Sequence, residues 1–102
     1  MALFAVFRER ASAWDVSRPI DGQAAWPEHA AFMDALADEG FVVAGGPLGD
    51  GFDFLSIFEA DSENAIRARL AGDPWMPMNL LEITRIEPWQ IVLGEPLSAD
   101  MP

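Results

Sequence analysis

The stretch that decides the fold runs from residue 26 to residue 60 and reads WPEHAAFMDALADEGFVVAGGPLGDGFDFLSIFEA. Its first part predicts a helix, because Pro27 suits a first helical turn, Glu28 suits the positive end of the helix dipole, and Gly40 suits a C-terminal cap. Four residues at i, i+3, i+4 and i+7 share one apolar stripe: His29, Phe32, Met33 and Leu36.

The second part of this stretch predicts a β-hairpin. Residues 41–44 are apolar and form a short strand, which the Gly-Gly-Pro sequence at 45–47 breaks. A turn at 49–51 follows, and residues 52–60 form the next strand.

The rest of the chain extends this helix and hairpin on both sides. The other predicted segments, in chain order, are a strand at 2–8, a loop at 9–25 that is long enough to be functional or mobile, a helix from Asp61 or Ser62 to Leu70, a strand at 80–87, an optional edge segment at 90–93 and a tail at 94–102. In the strand at 80–87 the alternation of apolar and polar residues slips near Arg85 and Ile86.

The resulting order, β-α-β-β-α-β, predicts an α+β fold of the ferredoxin-like type, with an antiparallel sheet and both helices on one face. We expect one domain over residues 1–93. The other face of the sheet then needs cover, because the strand at 52–60 places Phe54 and Phe58 on one side and Leu55 and Ile57 on the other. A second copy packed sheet against sheet would supply that cover, so the sequence predicts a homodimer.

Composition excludes several classes of function. The chain has 102 residues with 17 acidic and 6 basic side chains, a net charge of −11, which disfavours nucleic acid and anionic membranes as partners. It has no cysteine and one histidine, so neither a disulfide nor a metal site is expected. No basic and apolar leader is visible and the apolar runs are short, so we expect a cytoplasmic protein.

His29 and Asp73 form the candidate acid–base pair. Asp73 follows the second helix, and when two helices on one sheet face pack antiparallel, that position approaches the start of the first helix. A carboxylate beside an imidazole orients the ring for proton transfer. Each residue also has a structural interpretation, His29 as a half-buried histidine with a backbone hydrogen bond and Asp73 as a turn residue before proline.

Other residues could line a pocket around this pair. The candidates for substrate binding are Trp26, Gly46, Pro47, Trp75 and Ser56. Packing in the core is the more frequent use of tryptophan, and Gly46 and Pro47 could simply bend the chain before the hairpin. Three arginines, Arg8, Arg10 and Arg18, could bind an anionic group, although solvation at the surface is the more common state of any single one.

An ordered set of motifs resembles the YCII-related (YciI-like) family. The set comprises His29 within Trp26–Leu36, Gly45-Gly46-Pro47-Leu48, Gly72-Asp73-Pro74-Trp75 and Pro88-Trp89. The resemblance covers roughly residues 2–93 and implies a dimeric α+β barrel with an active site built on a His–Asp pair, here His29 and Asp73. A basic residue often precedes the histidine in that family. In this chain Trp26 and Pro27 precede His29 instead, and this departure from the family counts against an anionic substrate.

The resemblance implies a small enzyme that needs no cofactor. We expect general acid–base chemistry, an elimination or an isomerisation, on a small cyclic or aromatic substrate. The alternative is a non-catalytic dimeric module that binds a small molecule or serves as an accessory protein, in which the His–Asp contact is structural. A cofactor-free oxygenase is a third candidate, because the same barrel hosts small monooxygenases.

Overall fold

The computed structural model describes residues 2–94 and has the predicted ferredoxin-like α+β fold. Its elements are β1 (Ala2–Arg10), a short 3-10 turn (Ile20–Gly22), α1 (Trp26–Asp38), β2 (Val42–Leu48), β3 (Asp53–Ala60), α2 (Glu63–Leu70) and β4 (Leu81–Pro88). The strands form one antiparallel sheet in the order β2-β3-β1-β4. Of the predicted tail, residues 95–102 lie outside the described residues.

Both helices pack on one face of the sheet and enclose the main core. The buried residues of this core come from α1, α2 and all four strands: Phe4, Val6, Leu36, Val42, Phe58, Ala60, Ile66, Leu70 and Ile86. Helix α1 is capped as predicted by Gly40, which follows its last residues with a φ of +80°, and the Phe41 N–H donates to the Leu36 carbonyl at 3.0 Å. Helix α2 begins after Ser62, whose hydroxyl accepts from the Ala65 N–H at 3.1 Å.

Strand β2 is longer than predicted, because the Gly-Gly-Pro sequence does not break it. Gly45, Gly46 and Pro47 pair with Ser56, Leu55 and Phe54 of β3. Proline is tolerated there because β2 lies at the edge of the sheet, where its missing N–H faces no neighbouring strand.

The predicted slip in the last strand corresponds to a β-bulge. Phe7 is opposite Arg85 and Arg8 is opposite Ile83, so Thr84 is one extra residue on β4. The extra residue keeps Ile83 and Ile86 packed on the same core despite their odd spacing. Beyond Pro88, Trp89 donates one hydrogen bond to the Leu3 carbonyl at 2.9 Å, and residues 90–93 do not form the expected edge strand.

The long loop between β1 and α1 is ordered by one buried glutamine. The Gln23 amide oxygen accepts from the Asp15 N–H at 2.9 Å, and its Nε2 donates to the carbonyls of Asp15 and Arg18 at 2.8 and 3.0 Å. The loop starts at residue 11 rather than 9, since β1 runs to Arg10. These hydrogen bonds fix the segment that leads into the first turn of α1, where His29 lies.

Candidate active site

His29 and Asp73 are in direct contact. His29 is on the first turns of α1 and Asp73 follows α2, and His29 Nδ1 lies 2.9 Å from both carboxylate oxygens of Asp73. Both residues are buried, with 7% and 0% of their surfaces exposed. An ionised carboxylate only accepts hydrogen bonds, so Nδ1 carries the proton of this contact. In the neutral ring, Nε2 is then the nitrogen with a free lone pair.

Arg8 joins this pair from the centre of the sheet. Its Nη1 donates to Asp73 Oδ2 at 2.9 Å, and the side chain is 6% exposed. The sequence interpretation of Arg8 as a solvated surface residue is therefore wrong. Because Phe4, Val6 and Arg8 alternate along β1, all three point to the helix side. In the predicted strand at 2–8, Arg8 is the one cation and shares the parity of Phe4 and Val6, and this is the signal by which the sequence could have identified it.

Trp75 stacks against the imidazole of His29. The two ring centroids are 3.8 Å apart and the planes differ by 5°. Trp75 is fully buried, its Nε1 donates to the Ala24 carbonyl at 2.7 Å, and its backbone N–H donates to Asp73 Oδ1 at 3.0 Å. Trp75 thus holds both members of the pair. It is not among the residues that line the cavity described next, so its expected role in substrate binding stays a prediction.

The carboxylate of Asp73 is stabilised in its ionised form. Burial by itself raises the pKa of Asp73, but hydrogen bonds from His29, Arg8 and the Trp75 backbone outweigh burial and hold the pKa below its ordinary value of 3.8. The group is therefore an anion at neutral pH.

A cavity of about 290 Å³ opens beside the cluster, between α1 and strands β2 and β3. His29 and Arg8 are in its wall, together with four of the five candidates for substrate binding: Trp26, Gly46, Pro47 and Ser56. Apolar surface dominates the remaining lining, contributed by residues such as Met33 and Phe54. A small ring fits the size and character of this cavity.

The other two candidate arginines do not reach the cavity. Arg10 donates from Nε to the Gly51 carbonyl at 3.0 Å and lies over the Trp14 ring. Arg18 forms an exposed pair with Asp15 at 3.4 Å.

Within residues 2–94, no three histidine and carboxylate side chains cluster closely enough to hold a metal ion. In the same range, no helix has the length and apolar character needed to cross a membrane. The cytoplasmic location and the domain limits stay predictions.

The fold and the cluster define a small ferredoxin-like domain with a buried His–Asp–Arg group at a cavity. The model of the YCII-related domain family matches residues 5–90, so this chain belongs to that family. One similar solved structure is the 5-chloro-2-hydroxyhydroquinone dehydrochlorinase TftG from Burkholderia phenoliruptrix AC1100, in complex with 2,5-dihydroxybenzoquinone. It shares 26% sequence identity, with a TM-score of 0.59 over 86% of this chain and 93% of that chain. No curated protein matches the sequence.

Proposed function

We propose that the protein is a small enzyme that works without a cofactor, in which His29 is the general acid and base. The observation that carries the proposal is the contact between His29 Nδ1 and Asp73 at 2.9 Å in the wall of a cavity. Asp73 fixes the tautomer and stabilises the imidazolium that forms when the ring takes a proton. The second nitrogen, Nε2, exchanges protons with the substrate.

The substrate class that fits is a small cyclic or aromatic compound, and the reaction is the elimination of a substituent from a hydroxylated ring or the isomerisation of an unsaturated one. The similarity to a dehydrochlorinase supports this class. With a chlorinated hydroxyhydroquinone, His29 would move one hydroxyl proton to the carbon that bears chlorine. A second hydroxyl then loses its proton as chloride leaves with the bonding electron pair. The ring becomes a quinone with net loss of HCl, and no external oxidant is consumed.

Release of chloride from 5-chloro-2-hydroxyhydroquinone tests the proposal, with isomerisation of an unsaturated lactone as the second assay. We expect the protein to accelerate one of these reactions and His29→Asn to slow it by about 100-fold or more. Glu28→Gln is the matched control, because Glu28 is the exposed neighbour of His29 on the same helical turn. A folded His29→Asn variant with the wild-type rate contradicts the proposal. Failure of the wild-type protein in both assays favours the non-catalytic binding module.

We also propose that the chain acts as a homodimer through the sheet face that lies away from the helices. On that face a shallow groove has an apolar floor of Ala5, Phe7, Leu55, Pro88 and Trp89, with the charged pair Arg85 and Glu87 also in its lining. Trp89 is 40% exposed in the single chain. Exposed apolar side chains bordered by charged ones favour association, and an identical sheet face is the partner that the fold supplies.

A further inference from the structure

The guanidinium of Arg8 is a buried cation whose hydrogen-bonding capacity is poorly used. Nη1 donates to Asp73 Oδ2 at 2.9 Å and approaches Met76 Sδ at 3.7 Å, while Nη2 approaches Met33 Sδ at 3.4 Å. A guanidinium has five N–H donors, and a thioether sulfur is a weak acceptor. Within residues 2–94 one carboxylate oxygen is thus the only strong acceptor that Arg8 contacts.

The same side chain faces the cavity. Arg8 and Met33 both line it, and Nη2 is the guanidinium nitrogen that contacts Met33. Arg8 and His29 contact the same oxygen of Asp73, which makes them neighbours in one wall. A ring held against His29 therefore places a substituent within reach of Arg8.

The charges around the cavity favour an anion next to Arg8 over one elsewhere in the site. Among the described residues that line the cavity, Arg8 is the one arginine or lysine, and Asp34 is the one carboxylate. Asp73 pairs with Arg8 but does not line the cavity, and Asp34 is exposed whereas Arg8 is buried. The guanidinium is therefore the less screened of the two charged groups that line the cavity.

We propose that Arg8 is the specificity-determining residue of the site. Its guanidinium binds an ionised oxygen on the substrate ring while Asp73 holds the other edge of the same group. An oxyanion forms a charge-assisted hydrogen bond that a methionine sulfur cannot match, so it displaces the Met33 contact. The inference rests on the proposed function, because it assigns Arg8 a role in the same substrate cavity. It also accounts for the absence of a basic residue before His29, because here the cation comes from β1.

Isothermal titration calorimetry with two probes of equal size tests the assignment. 2,5-Dihydroxybenzoquinone is a vinylogous acid and ionises at neutral pH, and 2,5-dimethylbenzoquinone replaces its acidic hydroxyls by methyl groups. The chain has no cysteine thiol to add to either quinone. We expect the wild-type protein to prefer the anion by tenfold or more. Arg8→Met should remove that preference and leave affinity for the dimethyl probe within twofold.

Arg10→Met is the matched control, since Arg10 lies on the same strand outside the cavity lining, and we expect it to keep the preference. Equal affinity of the wild-type protein for both probes, or no binding of either, overturns the proposal without use of any variant. A folded Arg8→Met variant that still prefers the anion overturns it as well. The two proposals can fail separately. If the wild-type protein fails both turnover assays but the anion preference persists in His29→Asn, the result supports the role of Arg8 and contradicts the proposed function.

Discussion

Asp73 connects three separate parts of the chain through one carboxylate. It accepts hydrogen bonds from His29 on α1, from Arg8 on β1 and from the backbone of Trp75, and it is fully buried. A buried ion pair contributes little net stability when it is intact, but removal of one partner leaves the other charge uncompensated. The cluster is therefore sensitive to any change at Asp73.

Replacement of Asp73 by asparagine should destabilise the protein and change its response to acid. Loss of the pair with Arg8 is expected to lower the unfolding free energy at neutral pH by about 3–5 kcal/mol. Because the folded-state pKa of Asp73 lies below 3.8, its ionisation stabilises the fold above that pH, and this contribution is lost as the pH falls through the lowered value.

Urea unfolding at pH 7 and near pH 3 measures both effects. Wild-type stability should fall more steeply over this interval than that of Asp73→Asn. Asp38→Asn, at an exposed position on α1, is the control. Parallel losses in the wild-type and Asp73→Asn proteins would show that the ionisation of Asp73 does not support the fold.

Individual residues of the site differed in how far the sequence could predict them. The contact between His29 and Asp73 follows from topology, because the fold places the end of α2 beside the start of α1. Arg8 was named only as one of three arginines that could bind an anion. Its strand parity indicates the side it faces, but its burial depends on a partner 65 positions away, which no local pattern identifies. Trp75 was expected in the pocket, but its stacking behind His29 depends on packing that a one-dimensional pattern does not contain.

At the level of elements, β2 shows why the Gly-Gly-Pro sequence belongs to a strand. A Cβ on Gly45 would lie 2.8 Å from the Ser56 hydroxyl oxygen across the ladder, whereas a Cβ on Gly46 would meet no atom within 4 Å. Gly45 is thus required for close approach of β2 to β3. The sequence suggested a break because turn residues and close-packed strand residues have the same composition.

The two neighbouring glycines provide a matched test of this interpretation. Gly45→Ala should lower the unfolding free energy by about 1–3 kcal/mol, because the new methyl group overlaps Ser56. Gly46→Ala should stay within about 0.5 kcal/mol of the wild type, as for an open position. Thermal or urea unfolding measures both, and the double variant with Ser56→Gly should recover part of the loss. Equal effects at the two positions would contradict the assigned contact.

For the whole molecule, the single chain leaves one face of the sheet without a helical layer. Phe7 is paired with Leu55 across β1 and β3, and both line the groove on that face. The order of elements predicted this arrangement from the sequence, since two helices cover one face only. Which residues fill the groove depends on a second copy and stays a prediction.

A charge placed in this groove should separate the proposed dimer. Leu55→Asp would have to bury a carboxylate without a partner at the interface, and such burial is strongly unfavourable. Sedimentation equilibrium should give a dimer for the wild-type protein and a monomer for Leu55→Asp. Ala31→Asp, at an exposed position on α1, is the control and should remain dimeric. A monomeric wild-type protein would contradict the proposed assembly.

The protonation state of the His29 ring tests the central claim most directly. Since the chain has one histidine, a long-range ¹H–¹⁵N correlation spectrum of the uniformly labelled protein reports this ring alone. At a pH where the ring is neutral, the contact with Asp73 predicts a proton on Nδ1 and a free lone pair on Nε2, ready to accept a proton from the substrate. A proton on Nε2 with Nδ1 unprotonated would contradict the proposed acid–base role.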